Sequence, residues 1–161
     1  MKTSSIVSVL LLASASLLGV APALAQQKLV PADSHIIFVT KQMGVPLEGH
    51  FKKFEAQVVF NPAQLATSHI TLNVDTGSAT FDAPETDAEM PKATWFNVPK
   101  FPQATFQSSS IKALGGGKYE VAGKHSIKGT ARDVVPPDTV VQSGANTTAT
   151  GTLPIQRLTY K

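Results

Sequence analysis

From residue 27 onward, the hydrophobic pattern of the chain is dominated by alternation with a period of two. Segment 35–40 predicts a first strand. Alternation over 45–51 resumes over 54–60, which predicts two nearly continuous strands or one long bent strand. A further strand is predicted at 70–74. This period is typical of strands that bury one face, so we expect a sheet with an apolar side and a polar side.

The alternation fails between residues 77 and 102 and then returns. Asp82 precedes Pro84 and further acidic residues follow, which favours the start of a short helix because the helix dipole stabilises negative charge there. Three consecutive glycines, 115–117, predict a tight turn between two strands. The strands predicted after the interruption cover residues 104–113, 118–128, 131–142 and 147–159.

These elements define the predicted fold class. No segment of the sequence after residue 26 shows a long helical period, and most strands are close enough for hairpin connections. The chain is therefore predicted to be all-β and antiparallel. A chain of this size hides its sheet edges by closing as a barrel or stacking as a sandwich, and periodicity alone leaves both architectures open.

The N-terminal segment has a different character. Lys2 precedes an apolar run over residues 6–20, and Ala23-Leu24-Ala25 follows it. A positive start, a short apolar core and a small-x-small tripeptide are the features of a secretory signal peptide. We therefore expect residues 1–25 to be a signal peptide and residues 26–161 to form one domain, with an uncleaved anchor as the alternative.

Composition and charge exclude several classes of protein. The 161 residues include no cysteine, which excludes a disulfide scaffold, a zinc-thiolate site and a thiol enzyme. The formal charge of +3 falls to +2 without Lys2, and the basic residues are scattered, so nucleic acid is not an expected partner. Outside the N-terminal run no stretch is long and apolar enough for a membrane span, so stable membrane insertion is not expected.

The side chains that could carry chemistry do not follow a catalytic or metal-binding motif. His125-Ser126 with Asp133 has the residue types of a nucleophilic triad, but adjacent strand residues face opposite sides and the Gly-x-Ser-x-Gly turn is missing. The acidic residues after Asp82 are expected to cap and solvate the helix. No catalytic residue, metal or cofactor is therefore predicted. The histidines, which lack the spacing of common zinc motifs, are His35, His50, His69 and His125.

Four groups of short motifs follow one another along the chain. They are Asp33-Ser34-His35 with Phe38, Met43-Gly44 with Gly49-x-Phe51-x-x-Phe54, Trp95-Phe96 with Phe101-Pro102 and Thr105-Phe106-x-Ser108, and Tyr119-x-Val121-x-Gly123 with Ile127-x-Gly129 and Arg132. In this order they resemble the YceI-like family of bacterial periplasmic polyisoprenoid-binding proteins. The likeness extends from about Val30 to Tyr160, which is almost the whole chain after the predicted signal peptide.

The resemblance implies both a fold and a function. The implied fold is an extended, lipocalin-like antiparallel barrel of about eight strands, enclosing a long apolar channel. The implied function is that of a periplasmic carrier or reservoir for long isoprenoid lipids, such as a quinone chain, and not that of an enzyme. One alternative is a secreted scavenger of other hydrophobic small molecules. A second is an enzyme that acts on a quinone or lipid, using His125 with His35 or His50.

The channel wall is assigned to residues that recur on one phase of their strands or are the bulky members of the motifs. Residues 77–101 form a long interruption for a compact domain, so we expect a lid over one end of the barrel, with Trp95 and Phe96 at its mouth. His125 stands where the family usually has leucine, and facing inward it would give a polar contact beside the ligand. The predicted wall residues are Phe38, Phe51, Phe60, Leu72, Val74, Phe106 and Val121.

Two further departures from the family pattern concern the C-terminal part. Pro136-Pro137-Asp138 interrupts a predicted strand, and proline removes hydrogen-bond donors from a sheet. The chain stops after Tyr160-Lys161, where family members usually continue through a glycine-rich turn into a closing strand. We therefore expect the barrel to lack its closing strand, and we expect the unpaired edges to favour a homodimer or aggregation.

Overall fold

The computed structural model of the chain describes residues 27–143, 146–156 and 160. The predicted signal peptide, residues 1–25, lies outside the described residues. Within them the fold is all-β and antiparallel, as the alternation predicts. The strands are β1 Gln27–Lys28, β2 Ile37–Gln42, β3 Val45–Phe51, β4 Phe54–Val59, β5 His69–Asp75, β6 Ala79–Thr80, β7 Gln103–Gly115, β8 Lys118–Ile127, β9 Thr130–Val134, β10 Pro137–Ser143 and β11 Asn146–Gly151.

Helical segments in the described part of the chain are short. Helix α1 spans Pro84–Asp87, and single turns of 3-10 helix cover Pro31–Asp33, Leu65–Thr67 and Thr76–Ser78. None of these helices has the length and apolar character that a membrane crossing requires, and this holds for every helix among the described residues.

The larger sheet has eight strands, in the order β1-β4-β5-β7-β8-β10-β11, with β9 paired to β8 beside β10. It curls into a half-barrel. Side chains of its two outer strands meet, because Gln27 Nε2 in β1 donates a hydrogen bond of 3.4 Å to Thr147 Oγ1 in β11. This sheet is the antiparallel, lipocalin-like structure of about eight strands that the resemblance implies.

A second sheet contains three strands in the order β2-β3-β6. Segments 45–51 and 54–60 therefore belong to different sheets and are not one long bent strand. The chain passes between the sheets at Lys52 and Lys53, whose backbone N–H groups donate to the carbonyl and the hydroxyl of Ser78. These bonds satisfy the backbone where it has left one ladder and not yet joined the other.

The segment predicted as one strand, 131–142, is two strands because of its prolines. β9 pairs with the last part of β8, and β10 pairs with the first part of the same strand. Pro136 and Pro137, at the break between them, have no N–H group to offer a ladder. One long strand is thus covered along a single edge by two short ones.

The predicted helix lies where expected, but its cap is different. The residue before α1 is Ala83, and Asp82 adopts a left-handed backbone conformation with φ of 56°. The Asp87 carboxylate at the end of the helix accepts hydrogen bonds from the Phe81 N–H and the Thr80 hydroxyl. These bonds hold the pKa of the Asp87 carboxyl below its ordinary value of 3.8. They tie the helix to the end of β6.

A β-bulge sets the inner face of β7. Phe106 and Ile111 are five residues apart, an odd spacing that would place them on opposite faces of a regular strand. The pairing with β8 shifts register between Ser108 and Ser110, which returns both side chains to one face. Ile111 joins the buried core at one end of the sheet, and the core consists of Phe60, Ile111, Val121 and Val140.

Candidate functional site

Neighbouring strands bring several of the predicted wall residues onto one face of the larger sheet. Leu72 in β5 lies directly opposite Phe106 in β7, and Val74 lies opposite Ala104. Residues directly opposite each other in an antiparallel pair have their side chains on the same face. Phe106 in turn lies opposite His125 in β8. Because Phe106 packs against the buried core, this is the concave face of the half-barrel.

Phe60 and Val121 close one end of the concave face. Phe60 is 8% exposed and Val121 is 1% exposed, so both are packed core residues. The Tyr119 ring meets the Phe60 ring edge-on, with the centroids 5.1 Å apart. These two predicted wall residues and Tyr119 therefore form a closed surface at this end, which we call the floor.

Beyond the floor, the concave face is less well covered. Four of its apolar side chains are only half-buried, although they lie on the apolar side of the sheet. An apolar surface that the protein leaves partly exposed is suited to contact with an apolar partner molecule. We call this surface the open wall, and its members are Phe54, Ala56, Leu72 and Phe106.

Two glycines of the sequence motifs explain how aromatic rings lie against the sheets. A Cβ atom at Gly123 would be 2.5 Å from Cζ of Phe106, so no larger residue fits beneath that ring. In the small sheet a Cβ atom at Gly49 would be 2.4 Å from Cζ of Phe38. A ring that covers a glycine on the neighbouring strand pins the register of the pair. Gly123 therefore holds the Phe106 ring flat on the open wall.

The other two predicted wall residues lie in an aromatic cluster with the predicted lid residues. The Phe38 ring is 5.1 Å from Phe51 and 6.3 Å from Phe96, and Phe51 is 5.7 Å from Phe96. Phe81 is 5.1 Å from Phe38 and 6.1 Å from Trp95, so it links Trp95 to the cluster. The structure thus brings Phe38 and Phe51 to the lid and not to the open wall.

The lid segment is attached to the end of the larger sheet that is opposite the floor. Thr76, just after β5, donates its hydroxyl hydrogen to the Phe101 carbonyl at 2.8 Å. Lys128 Nζ, just after β8, donates to the Ala93 carbonyl at 3.0 Å. The floor contains Val121, which lies near the beginning of β8. The gating role of Trp95 and Phe96 stays a prediction.

His125 is a polar member of the concave face. It is 5% exposed, and its Nε2 atom is hydrogen-bonded to the hydroxyl of Tyr160. Its Nδ1 atom is buried and has no hydrogen-bond partner among the described residues. Arg132 in β9 lies opposite His125, and its guanidinium carbon is 5.4 Å from the centroid of the Tyr160 ring. Among the described residues, the imidazole is therefore held at one nitrogen and unpaired at the other.

The His125–Tyr160 pair carries no charge at neutral pH. Burial lowers the pKa of His125 below its ordinary value of 6.5, and the positive charge of Arg132 lowers it further. Burial raises the pKa of Tyr160 above 10.0, while Arg132 acts in the opposite direction. A neutral imidazole has one donor and one acceptor nitrogen, so the pair can offer hydrogen bonds but not an ion pair.

Sequence reasoning gave no role to Tyr160 or Arg132. Tyr160 is 35 residues from His125, and no local pattern links the two. The position of Arg132 could have been derived from the turn. Residues 128–129 both have positive φ and form a two-residue loop, which sets Ile127 opposite Thr130. Counting back along both strands places His125 opposite Arg132.

The other histidines lie apart from this pair. His50 is in the small sheet, with its Nδ1 atom 3.9 Å from an Asp82 carboxylate oxygen, whereas His125 is in the larger sheet. His35 and His69 are exposed. The structure therefore pairs His125 with a tyrosine, and not with His35 or His50 as the enzyme alternative expected. The described part of the chain holds no group of three or more metal-ligating side chains.

Two surface cavities of about 300 Å³ each lie away from the open wall. Lys52, Asp75 and Ser78 border the first, which is a polar site at the junction of the two sheets. Tyr119 and Pro136 border the second, which therefore lies next to the floor. An enclosed apolar channel stays a prediction.

Comparisons with known proteins identify relatives of the chain. Residues 27–161 match the YceI-like domain family. A UPF0312 protein of Vibrio cholerae is 30% identical over 105 residues, which are 65% of this chain and 56% of that protein, so the match spans about half of the relative. The crystal structure of Burkholderia cenocepacia BcnA is 44% identical, with a TM-score of 0.78 over 81% of this chain and 82% of BcnA.

A more distant likeness concerns the fold alone. A polyisoprenoid-binding domain from Saccharophagus degradans, implicated in plant cell wall breakdown, is 14% identical to the chain. The TM-score is 0.50, over 68% of this chain and 63% of that domain.

Proposed function

The chain belongs to the family of YceI-like domains, and on this premise we propose that it binds a long isoprenoid lipid, such as a quinone chain, against the open wall. The observation that carries the proposal is the open wall itself. Ala56, Leu72 and Phe106 lie side by side on three adjacent strands, on the apolar face, and are only half-buried. The Saccharophagus degradans domain of similar fold is described as polyisoprenoid-binding, which supports the same ligand class.

An isoprenoid chain suits this surface for physical reasons. Burial of each methylene-sized group contributes about 0.8 kcal/mol. Binding must offset the lost translational and conformational freedom of the ligand, which costs at least about 4 kcal/mol. A chain of several isoprene units covers enough of the wall to do so, whereas a single isoprene unit does not. The floor and the lid segment lie at opposite ends of the wall, so the chain is expected to lie between them.

The proposal is for a binding protein, a carrier or reservoir that works in the periplasm after export by the expected signal peptide. The wall is lined by apolar side chains, which contribute affinity but no acid, base or nucleophile. His125 and Tyr160 are both uncharged at neutral pH and can position a ligand through hydrogen bonds. A carrier would keep the chain of the lipid out of water between membranes.

Native mass spectrometry of the exported protein, purified without detergent, tests the proposal. The expected result is an added mass that corresponds to one long isoprenoid chain, identified after extraction. Recovery of short and chemically varied hydrophobic molecules would favour the alternative of a scavenger. A protein that carries no lipid, and takes up none from vesicles containing a quinone, would contradict the proposed function.

A further inference from the structure

The His125–Tyr160 pair lies at one end of a row of side chains that crosses the concave face. Register places Ala56, Leu72, Phe106, His125 and Arg132 directly opposite one another on β4, β5, β7, β8 and β9. Adjacent strands are about 4.8 Å apart, so the backbones of Leu72 and His125, two strands away from each other, are about 10 Å apart. The row is therefore apolar over three strands and polar over the next two.

The buried imidazole has a hydrogen-bonding capacity that the described residues do not use. Nε2 of His125 is taken by the Tyr160 hydroxyl, and Nδ1 is buried without a partner in the described part of the chain. Buried polar groups in folded proteins are generally paired, because an unpaired one loses its interaction with water and gains nothing in return. A ligand that brought an oxygen atom to Nδ1 would make the missing bond.

We propose that His125, oriented by Tyr160, binds the polar end of the isoprenoid ligand, and that it selects chains ending in a neutral hydroxyl or carbonyl oxygen over chains that are pure hydrocarbon. This inference rests on the proposed function and deepens it. The Tyr160 hydroxyl donates its hydrogen to Nε2, the proton of the neutral imidazole is then on Nδ1, and Nδ1 donates to the ligand oxygen. The apolar tail then lies across Phe106 and Leu72.

The roles of the two residues differ. His125 makes the contact with the ligand oxygen. Tyr160 is a positioning residue, because its hydroxyl fixes the ring orientation and keeps the proton on the nitrogen that faces the ligand. Loss of that hydroxyl frees the imidazole to exchange its proton between the two nitrogens, so discrimination between ligands weakens while the apolar contacts persist.

A pair of matched probes tests the inference. Farnesol and farnesene have isoprenoid chains of fifteen carbons, and only farnesol carries a hydroxyl group. We expect the wild-type protein to bind farnesol about tenfold more tightly than farnesene, which is the effect of one net hydrogen bond. His125→Leu should bind both probes about equally, at the affinity that the wild type has for farnesene. Tyr160→Phe should reduce the preference for farnesol.

Ser126→Ala is the control, because Ser126 is the next residue in β8 and faces the other side of the sheet. It should keep the tenfold preference. Equal binding of both probes by the wild type, or an undiminished preference in His125→Leu, would overturn the inference and leave the proposed function intact. Failure of the wild type to bind either probe would overturn both.

Nitrogen-15 NMR of the wild-type protein gives a readout that does not depend on the folding of a variant. The Nδ1 resonance of His125 should shift when farnesol binds and should stay unchanged when farnesene binds. Identical responses to the two probes would overturn the inference.

Discussion

Phe106 is the residue through which the open wall can be tested most directly. Phe106→Asp places a carboxylate beside the ligand chain, and an unpaired charge against apolar surface costs several kcal/mol. We expect retention of isoprenoid lipid to fall about a hundredfold or more, with the yield of folded protein unchanged. Lipid carried by the purified variants is measured by mass spectrometry. Gln107→Asp adds the same charge to the exposed face of the same strand and should retain lipid normally. Wild-type retention by Phe106→Asp would remove this residue from the wall.

The low pKa of His125 predicts a dependence of stability on pH. An unfolded chain binds a proton at this histidine near pH 6.5, whereas the folded protein binds it at lower pH. As the pH falls below about 6.5, the unfolded state therefore gains protons first, and the free energy of unfolding falls by up to about 1.4 kcal/mol per pH unit. Denaturant titrations at pH 5, 6, 7 and 8 should show this loss in the wild type and a smaller one in His125→Leu. Parallel curves would contradict the prediction.

Asp87 titrates in a separate range and does not obscure the effect of His125. Its carboxyl pKa lies below 3.8 in the folded protein, so its hydrogen bonds stabilise the fold above that pH and are lost as the pH falls further. Among the described residues, the charge that acts on the pKa of His125 is that of Arg132 on β9. The difference between wild type and His125→Leu below pH 6.5 thus reports on the imidazole.

At the scale of elements, the alternation of apolar residues predicted most of the strands but not which sheet each one joins. Segments 45–51 and 54–60 show one nearly unbroken pattern, but β3 pairs with β2 and β6 whereas β4 pairs with β1 and β5, so the two segments belong to different sheets. The bulge between Ser108 and Ser110 has no local signature either, because it arises from the pairing of β7 with β8. Such features depend on contacts between distant parts of the chain, as does the pairing of His125 with Tyr160.

The fluorescence of Trp95 tests whether the lid segment responds to ligand binding. This residue is the chain's single tryptophan, and its ring contacts Phe81 in the aromatic cluster at the end opposite the floor. If the segment opens or repacks when a lipid enters, the environment of the indole changes. We expect farnesol to change the wavelength or intensity of tryptophan emission in parallel with binding. The Phe106→Asp variant serves as the control without ligand uptake. An unchanged emission spectrum during a titration that demonstrably loads the wild-type protein would contradict the role of this segment as a lid.

In the molecule as a whole, the apolar face of the larger sheet is only partly covered by other side chains of the protein. Val121 and Met90 are almost completely buried, at 1% exposure each, but the apolar residues of the open wall are not. The edge strands β1 and β11 are joined by one side-chain hydrogen bond between Gln27 and Thr147 in the described part of the chain. A lipid on the concave face would supply apolar contacts that the folded chain lacks. A bound lipid would then complete the hydrophobic core.

This view predicts that lipid binding stabilises the whole domain. A ligand that binds only the folded state, at about one hundred times its dissociation constant, adds about 2.7 kcal/mol to the free energy of unfolding. For a domain of this size that corresponds to a rise in the melting temperature of about 5 to 15 °C. Calorimetry of delipidated protein, with and without farnesol, measures the rise. Gln107→Asp should show it in full, and Phe106→Asp should not show it. A constant melting temperature in wild-type protein that binds farnesol would contradict this view, because it would mean that the unfolded chain binds farnesol as tightly as the folded domain does.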